Sequence, residues 1–147
     1  MRGIQSFLIV VITGLVVSLS AADKKSKQGW HSLFDGLSTA QWRGFKKSDF
    51  PEKGWVIEDR CLKHQSKGGG GDIITKEKFS EFDLRFEWKV APAANSGVKY
   101  FIMEERGAPI GHEYQVLDDD RHPDGKKGED RQTAAFYDVL PAKDKKL

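Results

Sequence analysis

The strict alternation of apolar and charged side chains over residues 82–90 constrains the fold of this chain more than any other feature. The five apolar positions are Phe82, Leu84, Phe86, Trp88 and Val90, and the four charged positions between them are Asp83, Arg85, Glu87 and Lys89. Because successive side chains of a strand point to opposite faces, this pattern predicts a half-buried strand with one apolar face. After the N-terminal segment, no stretch of the sequence has convincing helical periodicity.

Further short strand signals recur along the chain, separated by Gly, Pro, Asp and Lys residues. The predicted strands lie at residues 55–59 and 60–64, as a hairpin or one bent strand, then at 73–74 after a four-glycine loop, and at 98–103, 112–117 and 133–137. This spacing predicts an all-β fold, an antiparallel β-sandwich or jelly roll. Such sandwiches usually contain more strands, so we expect the chain to be an N-terminal fragment of a longer domain.

The N-terminal 22 residues have the pattern of a signal peptide. Arg2 supplies a positive charge, residues 7–19 are almost entirely apolar, and small residues follow up to Ala22. The apolar run is short for a membrane-spanning helix, which needs roughly 20 residues. We therefore expect an exported protein, periplasmic or secreted, without a stable membrane anchor; a retained signal anchor is the alternative. Residues 23–28 form a charged linker, and one domain occupies residues 29–147.

The charge balance argues against a nucleic-acid-binding protein, and the single cysteine excludes a domain stabilised by an intramolecular disulfide. The chain has 24 Lys and Arg against 22 Asp and Glu, so it lacks the basic excess typical of nucleic-acid binding. Cys61 is the sole cysteine and has no intramolecular disulfide partner. We expect it to be a small buried apolar side chain.

Residues 111–124 combine a predicted strand with a loop rich in Asp and His. On this strand Glu113 and Gln115 share one face, and Tyr114 lies on the other. A carboxylate beside an amide, followed by such a loop, predicts one wall of a polar binding site. The alternative is that Glu113 and Gln115 lie equally exposed on the solvent face.

The loop that follows has two interpretations. Asp120, His122 and Asp124 have the spacing of the start of a calcium loop, but the third position is His and the twelfth is Arg131, so the ligand set of that loop fails. The loop either binds another divalent cation through Asp and His, or uses its Asp residues to cap turns.

The ordered set of motifs is similar to a known family. In chain order, the motifs are Gly29-Trp30, Leu33-Phe34-Asp35-Gly36, Trp42, Trp55-Val56, Asp72-Ile73-Ile74-Thr75, residues 82–90, Asn95-Ser96-Gly97-Val98-Lys99-Tyr100-Phe101, Glu113-Tyr114-Gln115-Val116-Leu117-Asp118, His122-Pro123-Asp124 and Ala135-Phe136-Tyr137-Asp138. From about residue 29 to its end, the chain resembles the 3-keto-disaccharide hydrolase domain family of exported bacterial proteins. The resemblance implies a concanavalin-like jelly roll that continues past Leu147, in agreement with a fragment.

The resemblance also implies a carbohydrate substrate oxidised to a ketone at C3, hydrolysed by C2 proton abstraction, elimination and addition of water. Such a route needs a general base, a group that stabilises the enolate oxygen, and an acid for the leaving group. Glu113 is expected to be the base or else a metal ligand. The other expected roles are Lys99 and His122 for the enolate oxygen or the leaving group, Asn95, Gln115 and Tyr137 for substrate binding, and Asp118 and Asp124 for a metal.

Two other classes of function stay open at this stage. The concanavalin-like fold also carries lectins, so a non-catalytic carbohydrate-binding module is the main alternative, and a structural module of a surface protein is the third. A lectin binds unoxidised glycans and leaves a 3-keto-glycoside intact. No cofactor is assigned from the sequence, and a divalent cation is the one open alternative.

Overall fold

The fold was obtained as a computed structural model, which describes residues 8–11 and 29–146 of the chain. Within these residues it contains eight β-strands and two short 3₁₀ turns, with no α-helix. The strands are β1 (Leu8–Val11), β2 (Trp42–Gly44), β3 (Trp55–Glu58), β4 (Cys61–His64), β5 (Ile73–Thr75), β6 (Glu87–Val90), β7 (Asn95–Tyr100) and β8 (His112–Leu117). The all-β prediction is confirmed, and the jelly-roll topology stays a prediction. Among the described residues, no helix has the length and apolar character needed to cross a membrane.

The strands form three antiparallel sheets. The largest has the order β3-β4-β1-β6, and β2 pairs with β5 while β7 pairs with β8. Strand β1 lies between β4 and β6 and is antiparallel to both. This strand comes from the segment predicted as a signal peptide; the rest of residues 1–22 lies outside the described part of the chain, as does the linker at 23–28. Cleavage of the segment stays a prediction.

The predicted hairpin at residues 55–64 is confirmed. Strands β3 and β4 are joined by Asp59 and Arg60, whose φ angles of 50° and 59° both lie in the left-handed region. Two such residues in a row are the signature of a type I′ turn, whose twist matches that of the flanking strands. Cys61 follows the turn and is buried at 8% exposure, as expected. Its burial raises the pKa of the thiol, which favours an unreactive, protonated side chain.

Three strand predictions were wrong in their extent. Of residues 82–90 only β6 is a strand, and Phe82 and Leu84 are 47% and 38% exposed. Strand β7 begins at Asn95 and ends at Tyr100, because Phe101 adopts a left-handed φ of 58° that ends the extended conformation. Residues 133–137 form isolated bridges at Phe136 in place of a strand.

The segment after Gln132 is nevertheless fixed along β8 by backbone and side-chain hydrogen bonds. Thr133 is fully buried, and its hydroxyl donates to the Leu117 carbonyl oxygen at 2.7 Å. The Leu117 N–H in turn donates to this hydroxyl at 3.1 Å. Further along, the Tyr137 N–H donates to the Glu113 carbonyl oxygen at 3.0 Å. The segment therefore places Tyr137 beside the residue that the sequence predicts as the base.

Candidate functional site

The site is built on one face of the β7–β8 ladder. The two strands pair in antiparallel register over six residues each. Because side chains alternate along a strand, every second pair shares a face. The three pairs on this face are Asn95 with Leu117, Gly97 with Gln115, and Lys99 with Glu113. The register thus brings the predicted base directly opposite a cation, and the Lys99 ammonium lies 3.5 Å from Oε2 of Glu113.

Glu113 lies in a half-buried setting that favours its neutral form. Its side chain is 21% exposed, and burial raises the pKa of the carboxyl above its ordinary value. The Lys99 ammonium opposes that rise, while the negative charges of Asp72 and Asp124 raise the pKa further. A carboxylate whose pKa is raised toward the working pH is a better proton acceptor than an ordinary surface glutamate. Glu113 therefore has the setting of a general base.

Gln115 is buried, in contrast to the half-exposed Glu113 two residues earlier. It is 1% exposed, and its side-chain Oε1 accepts a hydrogen bond from the Val116 N–H at 3.0 Å. The interpretation in which Glu113 and Gln115 lie equally exposed to solvent is therefore wrong. The predicted contact of Gln115 with a sugar stays a prediction, and the structure shows its amide oxygen already engaged within the strand. Asn95 lies exposed on the same face as Glu113, at the start of β7.

Asp124 is the centre of a network of hydrogen bonds and ion pairs beside the site. Its Oδ1 accepts from the Lys127 ammonium at 2.7 Å and from the Arg131 guanidinium at 3.2 Å. Its Oδ2 accepts from the Tyr137 hydroxyl at 2.7 Å. Hydrogen bonds from Lys127 and then Tyr137 lower the pKa of Asp124 to about 2. Arg131 also donates to Asp138 at 2.5 Å, so it joins the two carboxylates.

The Tyr137 hydroxyl acts both as a donor and as an acceptor of hydrogen bonds within this network. It donates to Asp124 and accepts a hydrogen bond from Arg131 at 3.0 Å. The bond to Asp124 and burial raise the pKa of the phenol, which keeps it protonated at neutral pH. Its predicted role in substrate binding is untested, and the contacts assign it to holding Asp124 in place.

The Asp and His residues of the loop do not come together as ligands. Asp118 accepts hydrogen bonds from the Ala93 N–H at 2.7 Å and from the Arg121 N–H and guanidinium, each at 3.3 Å. These contacts, led by Ala93, lower the pKa of Asp118. His122 accepts the Asp124 N–H at 3.1 Å through Nδ1. Among residues 29–146, no group of three or more His, Cys, Asp and Glu side chains is arranged to hold a metal ion. Asp118 and His122 accept backbone N–H groups of the loop, as the second interpretation expects, whereas Asp124 pairs with side chains.

A separate cavity of about 510 Å³ opens at the far end of β8, and its lining excludes Glu113 and Lys99. Its lining includes Trp88, Leu117, Asp118, Gln132 and Lys145. The Lys145 ammonium donates to Asp119 at 2.5 Å and to Gln132 at 3.0 Å, so the polar groups of this cavity are largely paired with each other. The candidate site is therefore the open face around Glu113.

Sequence reasoning missed three charged residues of the site. Arg131 entered it only as the residue that excludes a calcium loop, and Lys127 was given no role. Asp72 was recognised as part of a family motif, without a role. No sequence signal could have found Arg131, because the loop between it and Asp124 decides whether the two charges meet.

The comparisons with known proteins agree with the resemblance described from the motifs. The sequence model of the 3-keto-alpha-glucoside-1,2-lyase-like domain matches residues 29–147. A 3-keto-disaccharide hydrolase of Bacteroides thetaiotaomicron is 41% identical over an alignment 152 positions long that covers 85% of this chain and 52% of that enzyme. The chain thus spans about half the length of this relative. The residues matched by the domain model include β7 and β8, which carry Lys99 and Glu113.

Proposed function

This chain belongs to the family of 3-keto-alpha-glucoside-1,2-lyase-like domains, and from that premise we propose that it cleaves 3-keto-glycosides, including 3-keto-disaccharides, with net addition of water. The relative named a 3-keto-disaccharide hydrolase supports this substrate class. Since the chain spans about half of that relative, the activity is a proposal for this chain in its own right. The observation that carries it is the half-buried Glu113, with its raised pKa, 3.5 Å from the Lys99 ammonium.

The proposed reaction has two halves. The ketone at C3 acidifies the hydrogen on C2, and Glu113 accepts this proton while the electron pair moves to the C3 oxygen as an enolate. The enolate then re-forms the ketone and expels the C1 oxygen, which takes up a proton and leaves as an alcohol. Water adds back across the new C1–C2 double bond, with hydroxyl on C1 and a proton on C2. The balance is one glycosidic bond broken and one water consumed.

Each part of the site has a role in this scheme. Glu113 is the base, and the adjacent Lys99 ammonium stabilises the negative charge that develops on the C3 oxygen. Asp124 stays ionised at working pH because its pKa is about 2. Its fixed negative charge raises the pKa of Glu113 without competing for the proton. Lys99 and His122 are the two candidates for protonating the leaving group.

A label from the solvent tests this route. Cleavage in D₂O should give a 3-keto sugar carrying one deuterium at C2, because the returning proton at C2 comes from solvent. The control is the product alone incubated in the same buffer, which measures exchange next to the ketone without the protein. A product with no deuterium at C2 beyond that control would rule out elimination and addition.

Removing the cation opposite Glu113 should change both the rate and the pH profile. In Lys99→Met we expect kcat to fall by about 10²-fold, the usual effect of losing one group that stabilises an oxyanion. The acid limb of the profile should move to higher pH, because Lys99 lowers the pKa of Glu113 and its loss lets that pKa rise. The exposed Lys126 provides the control, and Lys126→Met should leave both unchanged. An unaltered acid limb in Lys99→Met would contradict the assignment.

The other interpretations predict different results in the same assay. If Glu113 is a metal ligand, EDTA abolishes cleavage and a divalent ion restores it. If the chain is a carbohydrate-binding module, it binds unoxidised glycans and releases no product from a 3-keto-glycoside. We further propose that residues 1–22 direct export, which cell fractionation would test through the location and the N-terminus of the processed chain.

A further inference from the structure

Gly97 stands where the Glu113 side chain needs space. A Cβ atom at Gly97 would lie 2.0 Å from Oε1 of Glu113, 2.8 Å from its Cδ and 2.9 Å from its Cγ. The backbone of Gly97 is that of an ordinary strand residue and does not have a positive φ. Its conformation is therefore open to any amino acid, and the glycine is required by the carboxylate that lies over it.

The register explains how the carboxylate comes to lie there. Glu113 pairs directly with Lys99, and Gly97 is its diagonal neighbour on the same face. The Glu113 side chain crosses β7 with Oε1 over Gly97 and Oε2 toward the Lys99 ammonium. With any side chain at position 97, the carboxylate would have to leave this place. Because the clash involves the flexible end of one side chain, the strand itself can stay as it is.

We propose that Gly97 is a positioning residue: its missing side chain forms the recess that holds the Glu113 carboxylate beside Lys99 and inside the half-buried face. The inference rests on the proposed function for its effect on catalysis. The arrangement of Gly97 and Glu113 does not depend on that function. This arrangement can therefore be tested separately, by a measurement that needs no activity.

The first test is the kinetics of Gly97→Ala. We expect kcat to fall by about 10²-fold with little change in KM, since a displacement of about 1 Å costs a reacting group that much. Shortening the displaced side chain should recover part of the loss. The double variant Gly97→Ala with Glu113→Asp should therefore exceed Gly97→Ala alone in kcat, although Glu113→Asp alone lowers it.

The second test is the titration of the Glu113 carboxyl by ¹³C NMR, which needs no activity. Displacement into solvent removes the burial that raises this pKa and also the nearby Lys99 ammonium that lowers it; because burial is the larger effect, the midpoint in Gly97→Ala should fall toward that of an ordinary glutamate. The shift is opposite in sign to that of Lys99→Met, so the two variants distinguish loss of burial from loss of the cation. A midpoint equal to that of the unaltered chain would overturn the proposal.

Gly128→Ala is the matched control. Gly128 also has an extended backbone, with φ of 175°, and a Cβ there would meet the Asp130 carboxylate at 2.5 Å with its next contact at 3.7 Å. This variant should leave kcat and the Glu113 midpoint unchanged, and both alanine variants should melt within a few degrees of the unaltered chain. Equal losses in both variants would assign Gly97 an ordinary structural role. If the unaltered chain cleaves nothing, the proposed function fails, and the titration alone decides for or against the recess.

Discussion

Replacing Glu113 with Gln is expected to lower kcat on a 3-keto-glycoside by about 10²–10⁴-fold, the usual contribution of a positioned general base. The amide has nearly the shape of the carboxylate but accepts no proton at neutral pH. Since Glu113 is half-buried and faces Lys99, the substitution also removes an ion pair at 3.5 Å. Steady-state kinetics on a chromogenic 3-keto-glucoside give the comparison.

The control for this variant is Glu105→Gln, at an exposed glutamate of the first 3₁₀ turn. It removes the same charge away from the site and should leave kcat unchanged. Melting temperatures of both variants should stay close to that of the unaltered chain. Normal turnover by a folded Glu113→Gln variant would remove Glu113 from the mechanism.

The second large effect is on stability, in Asp124→Asn. Asp124 is 8% exposed and accepts hydrogen bonds from two cations and a phenol. Removing one partner of a buried, hydrogen-bonded ion pair typically costs 3–5 kcal/mol. Because Lys127 is largely exposed, we expect a loss of about 3 kcal/mol in the free energy of unfolding, at the low end of that range. Denaturant unfolding at neutral pH measures it, with Asp120→Asn at an exposed loop position as the control.

The contribution of Asp124 to the free energy of unfolding should decrease at acid pH. The pKa of Asp124 is lowered in the folded chain to about 2 from its ordinary 3.8. Its contribution to stability is thus present above the ordinary pKa and is lost as pH falls toward 2. The difference between the unaltered chain and Asp124→Asn should therefore shrink from pH 5 to pH 2. A constant difference over that range would show that Asp124 stabilises the fold by packing and not by its charge.

Local pattern was sufficient for the parts of the fold that depend on near neighbours. Strand β8 has the predicted bounds, because its alternation and its flanking turn residues act within a few positions. The β3–β4 hairpin was predictable for the same reason, since its two strands are joined by a two-residue turn. All-β character followed from the spacing of such signals.

The wrong predictions concern segments whose state depends on a distant partner. Residues 82–86 alternate as well as any strand, but a strand also needs a hydrogen-bonding neighbour, and the observed ladder with β1 begins only at Glu87. At 133–137 the side chain of Thr133 binds the backbone of Leu117, which replaces regular pairing there. Neither partner can be recognised from the segment itself.

The site was predictable by residue type and not by arrangement. Glu113 and Lys99 were each recognised, but only the register of β7 against β8 shows that they face one another. Arg131 lies seven residues from Asp124, and its pairing depends on how the intervening loop folds. Gly97 is recognised in the sequence only as part of a motif, and the side chain that fills its empty space comes from another strand.

The most direct measurement of the central claim is the release of a chromophore from a 3-keto-glucoside and from the same glucoside unoxidised. The acidity of the C2 hydrogen depends on the C3 ketone, so a site built around one base and one cation should act only on the oxidised substrate. We predict release from the 3-keto-glucoside above the rate without protein, and none from the unoxidised glucoside. Equal release from both, or binding of both without release from either, would contradict the account.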